Sequence, residues 1–176
     1  MSLVPTPGQT VGPFFGYALP YDGDSALVPA GHPDAVRLHG RVLDGDGNPV
    51  PDALLELSQV APDGTRPSGA GSLRRDGYAF TGWGRASTDD TGHYSFSTLV
   101  PGAPFFGLTV FARGLLDRLF TRAYLPDRAD DPFLETVDAG RRATLVAARD
   151  EHGFVFDIRL QGEGETVFLT YPRPRP

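Results

Sequence analysis

Short stretches in which apolar and polar residues alternate, each soon cut off by glycine or proline, constrain this chain more than any other feature. Val36, Leu38 and Val42 alternate with Arg37, His39 and Arg41, the period-two pattern of a strand with one buried and one wet face. The pattern returns at Tyr94, Phe96 and Thr98. It returns again where Phe154, Phe156, Ile158 and Leu160 face away from Val155, Asp157 and Arg159. The 22 glycines and 17 prolines among 176 residues are too many for a helical protein and suit short strands joined by frequent turns.

Further strands are predicted over 53–57, 108–113, 118–125 and 166–170. Asp44-Gly45-Asp46-Gly47-Asn48-Pro49 is a strong turn signal, so 36–42 and 53–57 are expected to form a hairpin, with a second hairpin turn at Asp89-Asp90-Thr91-Gly92. Residues 138–149 fit either a short helix or an extended edge. Many short strands with turns between them predict an all-β, two-sheet β-sandwich. A chain of this length supports one core and one domain, 35–176. It is preceded by an irregular arm over 1–34, punctuated by Pro5, Pro7, Pro13, Pro20, Pro29 and Pro33. Within the arm, Phe14, Phe15 and Tyr17 form an aromatic cluster that needs a surface to dock on. Residues 61–79 read as a long irregular loop of the functional kind, and 172–176 as a frayed end.

Composition removes several classes of function. There is no cysteine, hence no disulfide, thiolate site or thiol nucleophile. The first residues lack the basic and apolar regions of a signal peptide, and no apolar run approaches the ~18 residues of a membrane span. A cytoplasmic protein without membrane attachment is expected. The formal charge is −6, without a basic stripe, so nucleic acid is not an expected partner.

Histidine is the natural place to seek a metal or a general base. His32, His39, His93 and His152 show no metal-ligand spacing and read as solvated turn residues. No G-x-S-x-G elbow or phosphate-cradling glycine loop is present. Asp127, Asp130 and Asp131 lack the ordered spacing of a calcium loop and read as a solvated acidic loop. The residues taken alone give no complete active site.

Several segments carry a resemblance. They are Pro7-Gly8-Gln9-Thr10-Val11-Gly12-Pro13-Phe14-Phe15, residues 40–53, Phe80-Thr81-Gly82-Trp83-Gly84-Arg85, Val110-Phe111-Ala112-Arg113-Gly114-Leu115-Leu116, and residues 156–168 with Leu160-Gln161-Gly162-Glu163-Gly164-Glu165-Thr166. In these the chain resembles the intradiol ring-cleaving dioxygenases, and among them the α-type chains of enzymes built from unlike subunits. The resemblance implies a sandwich of the intradiol type. The family's iron-bearing chain holds Fe(III) with two tyrosines and two histidines, the latter in an H-I-H stretch. Here Phe105-Phe106-Gly107 stands at that stretch, the first tyrosine position falls near Gly71, and the second falls in an insertion absent between Pro101 and Phe105. Tyr78 is a misplaced alternative.

The resemblance therefore implies no metal and no catalytic residue in this chain alone. Fe(III) would be held by a partner β subunit in a hetero-oligomer that cleaves protocatechuate with dioxygen. It assigns substrate-binding roles to Thr10, Gly12, Pro13, Phe14 and Arg122, the arginine facing the substrate carboxylate; a structural ion pair is the competing reading of Arg122. Two other readings remain: a free-standing sandwich that binds a ligand without catalysis, and an autonomous catechol or hydroxyquinol dioxygenase using Tyr78 with His93 or His152.

Overall fold

Leu38, Gly40 and Val42 turn inward from strand β1 (Val36–Leu43), while Arg37 and Arg41 point outward. The computed structural model of the chain describes residues 15–67, 75–129 and 131–171. Its other strands are β2 (Leu54–Ser58), β3 (Trp83–Ser87), β4 (His93–Thr98), β5 (Phe105–Phe111), β6 (Leu119–Tyr124), β7 (Ala148–Arg149), β8 (Gly153–Val155) and β9 (Ile158–Arg159). One sheet runs β4-β1-β8-β7 with β9 also on β1, and the other runs β3-β2-β5-β6. The inward faces meet in one core containing Leu38, Val42, Phe96 and Phe154 from the first sheet and Leu55, Leu57, Phe106 and Leu108 from the second. Phe106 and Phe154 touch edge to face across it, their centroids 5.5 Å apart. The expected two-sheet sandwich is the observed architecture.

Gly40 is required by a close approach. β1 pairs in parallel with β8 at residues 37–39 and then with β9 at 42–43, so the intervening Phe156 and Asp157 press onto β1. A Cβ on Gly40 would lie 2.2 Å from the Phe156 carbonyl oxygen. That carbonyl accepts a 2.6 Å hydrogen bond from the Tyr94 hydroxyl, and the Asp157 carboxylate accepts one from the Arg41 N–H. Tyr94 is 1% exposed, and burial pushes its phenol well above the ordinary tyrosine value.

Neither expected hairpin forms. The turn at 44–49 does, with Asp44 Oδ1 accepting from the N–H groups of Asp46 and Asn48 and Val50 N–H bonding back to Val42. Pro49 and Pro51 lack the N–H needed to extend that ladder, and the chain crosses to the other sheet, where β2 pairs with β3 and β5. The turn at 89–92 likewise joins β3 of one sheet to β4 of the other. Both turns are arches between sheets.

Residues 166–170 form no strand. They thread between neighbours on single hydrogen bonds, Leu169 N–H to Phe120, Thr121 Oγ1 to the Val167 carbonyl and Val167 N–H to Thr144 Oγ1. The ambiguous 138–149 segment resolves into a 3-10 turn, Arg142–Leu145, followed by the short edge strand β7. Two short helices were not foreseen, α1 (Phe15–Ala18) and α2 (Pro132–Thr136). From the arm, the described residues 24–27 lie along both sheets: the Leu27 N–H donates to the Ser97 carbonyl of β4, the Ser97 N–H donates to the Ser25 carbonyl, and the Arg85 N–H of β3 donates to the Asp24 carbonyl. Among the described residues no helix is long and apolar enough to cross a membrane.

Candidate functional site

The outward face of the β3-β2-β5-β6 sheet carries one row across all four strands: Trp83 opposite Ser58, Ser58 opposite Gly107, and Gly107 opposite Arg122. Beside it, Phe105 lies opposite Tyr124, and their rings approach to 5.4 Å. This end of the sheet is covered by α2 and the 3-10 turn, which bury Tyr124, Leu134 and Leu145 in a second apolar cluster with Phe105 and Phe133 at its rim.

Arg122 is held at that rim. Its guanidinium carbon stands 4.2 Å from the Phe105 ring centroid and 4.8 Å from that of Phe133, two cation–π contacts that fix its plane. Nη1 donates to the Tyr124 hydroxyl at 3.0 Å and to Asp131 Oδ2 at 3.2 Å. The structural ion pair is therefore present. Nε and Nη2 make no hydrogen bond among the described residues, and the side chain remains 25% exposed. It opens on a cleft of 410 Å³ shared with Phe133, Asp138, Arg141 and residues 167–171. Two unengaged N–H positions beside apolar walls are suited to a carboxylate, which accepts charge-assisted hydrogen bonds. Burial pushes the Tyr124 phenol above the ordinary tyrosine value while the Arg122 guanidinium pulls it down.

Asp131 departs from the expected solvated acidic loop. Its Oδ1 caps α2 by accepting from Phe133 N–H at 2.8 Å, and its Oδ2 takes Arg122 and Tyr124. The signal was legible: Asp followed by Pro is an N-cap with proline at the first helical position. Asp127 stays exposed and pairs with Arg149; Asp130 lies outside the described residues, as do Thr10, Gly12, Pro13, Phe14 and Gly71.

The histidines also depart from expectation. His39 is only 15% exposed and its Nε2 lies 3.0 Å from Asp150 Oδ2. The rings of His93 and His152 stand 5.8 and 6.4 Å from it, on the other sheet from Arg122. Sequence spacing could not reveal this, because β4 and the turn before β8 both flank β1 only in the folded sheet.

Strand alternation puts Phe105 and Gly107 on the same outward face of β5. A same-face pair two residues apart is the arrangement that two histidine ligands would need, yet these positions offer a hydrocarbon ring and a hydrogen atom. Tyr78 is 89% exposed, and among the described residues no three or more His, Cys, Asp or Glu side chains are placed to hold a metal ion. The described residues do not offer a donor set that fits a ferric centre.

The family model described as "Dioxygenase" matches residues 10–127. The chain is 42% identical over 195 residues to a protocatechuate 3,4-dioxygenase alpha chain of Burkholderia cepacia, covering 96% of this chain and 98% of that one. It is 31% identical to a protocatechuate 3,4-dioxygenase beta chain of the same organism, covering 84% of this chain and 74% of that one. Among solved structures, the dioxygenase domain of a carbohydrate-binding fusion from Streptomyces sp. SirexAA-E superposes with a TM-score of 0.55 at 24% identity, over 90% of this chain and 99% of that chain. A nearly full-length likeness, a matching family model and a shared sandwich together place the chain in the intradiol ring-cleaving dioxygenase family, to which it belongs.

Proposed function

We propose that this chain is the iron-free, α-type subunit of a protocatechuate 3,4-dioxygenase, a partner of an Fe(III)-bearing β subunit. One observation carries the reading: a chain 42% identical over nearly its whole length to an alpha chain presents Phe105 and Gly107 where a ligand pair would stand. The likeness to a beta chain of the same organism as that alpha chain supports a pairing of two homologous subunits. In the assembled enzyme, the bond between the two hydroxyl-bearing carbons of protocatechuate would be cleaved with dioxygen to give 3-carboxy-cis,cis-muconate. The ferric ion belongs to the partner, and no step of this chemistry is assigned to a residue of this chain.

What this chain contributes is binding and exclusion of water. Arg122 directs its unengaged N–H groups to the substrate carboxylate, with Phe105 and Phe133 holding the guanidinium plane. Thr10, Gly12, Pro13 and Phe14 complete the wall of the partner's pocket, glycine allowing the backbone to come close to a planar ring. Purifying the chain alone and with a co-expressed iron-bearing subunit tests the reading. Alone it binds no stoichiometric iron and has no ring-cleavage activity; together they form an active hetero-oligomer. A purple-red ferric-tyrosinate absorption band in the chain purified alone would refute it.

A further inference from the structure

A second cavity of 490 Å³ opens on the same sheet, lined by Ser58, Val60, Arg66, Pro67, Trp83 and Phe105 among others, and among the described residues it shares no lining residue with the Arg122 cleft. Its base is fixed. Gln59 is 9% exposed, and its side chain donates to the Leu99 carbonyl at 2.8 Å and accepts from Thr98 Oγ1 at 2.7 Å. Gly82 holds the rim at φ +64°, where a Cβ would meet Pro67 at 2.5 Å and the Gln59 carbonyl oxygen at 2.9 Å. The walls are the rings of Trp83 and Phe105, and each already lies against a guanidinium, Arg85 at 5.2 Å and Arg122 at 4.2 Å.

Two donors in this cavity are unclaimed. Among the described residues, neither the exposed Arg66 guanidinium nor the Ser58 hydroxyl makes a hydrogen bond or ion pair. Among the described residues no carboxylate lines the cavity. Flat aromatic walls with a cation and a hydroxyl donor select a ligand with a π-face and an acceptor-rich charged end. A phosphate would leave the walls unused, and a neutral arene would leave Arg66 unpaired.

We propose that this cavity, formed by Trp83, Phe105, Arg66 and Ser58, binds a small planar aromatic carboxylate at a site separate from Arg122. The inference does not rest on the subunit assignment above. Trp83 is the sole tryptophan, so its emission reports directly on occupancy. The test titrates the full-length chain with benzoate, following Trp83 fluorescence and the heat of binding in parallel. Saturable binding is expected, weakened about tenfold or more in Arg66→Ala and for benzyl alcohol in place of benzoate, the range for losing a charge-assisted hydrogen bond. Arg66 is exposed, so its truncation leaves the fold intact. The proposal is overturned if neither signal saturates, if Arg66→Ala binds benzoate as tightly as the parent, or if Arg122→Ala abolishes binding that Arg66→Ala retains.

Discussion

Replacing Arg122 with alanine separates a structural role from a substrate-binding one, because the two have different sizes and different readouts. The structural loss is the ion pair with Asp131, whose side chains are 25% and 17% exposed, and two ring contacts. A partly exposed pair contributes about 0.5 kcal/mol and each cation–π contact about 0.5–1 kcal/mol, so Arg122→Ala should lower unfolding stability by roughly 2 kcal/mol. The binding loss is a hydrogen bond to a charged carboxylate, about 1–3 kcal/mol, which raises KM for protocatechuate by about 5- to 150-fold in the assembled enzyme. Steady-state ring cleavage with protocatechuate and with catechol, which lacks the carboxylate, distinguishes the two. Catechol turnover should be nearly unchanged once the variant is confirmed folded and assembled. Equal losses on both substrates would show that Arg122 only props up the cluster of Tyr124, Phe105 and Phe133.

Other consequences follow from the same geometry. Asp131→Ala removes the α2 cap as well as the carboxylate beside Arg122, and chemical denaturation should show a loss of about 1–2 kcal/mol; an unchanged midpoint would mean that α2 contributes nothing to stability. Gly40→Ala drives a methyl group into the Phe156 carbonyl, so it should cost about 1–3 kcal/mol or more and reduce soluble yield; wild-type stability would show that β8 and β9 do not lie against β1 as described. Tyr94→Phe leaves the Phe156 carbonyl without its hydroxyl donor, a loss of about 1–3 kcal/mol at neutral pH. Because burial raises the folded Tyr94 phenol above the ordinary tyrosine value of 10.0, its contribution is fully present below that pH. It is lost as pH rises from there towards the folded value, since the unfolded phenol ionises first. The variant should therefore lose stability less steeply above pH 10, and an identical alkaline slope in both proteins would exclude Tyr94 as its source.

Local alternation and turn chemistry made the strands and the sandwich legible. Leu38/Val42, Tyr94/Phe96 and Phe154/Phe156/Ile158 each bury the face their pattern predicts, because a period of two fixes which side of a sheet a residue occupies. That Phe105 and Gly107 offer no donor atom from their side chains was equally a matter of residue identity. Pairing partners were not legible, since a turn at Asp44–Pro49 looks the same whether it closes a hairpin or arches between sheets. Nor was the company kept by Arg122, Asp131 and His39. Asp131 is nine residues from Arg122 and Asp150 is 111 from His39, and only the packing of α2 beside β6, and the pairing of β8 with β1, brings those charges within reach of each other. Sequence fixes the chemistry each position has to offer, whereas proximity across strands, and hence which groups pair and which donors stay free for a ligand, is a property of the folded sheets.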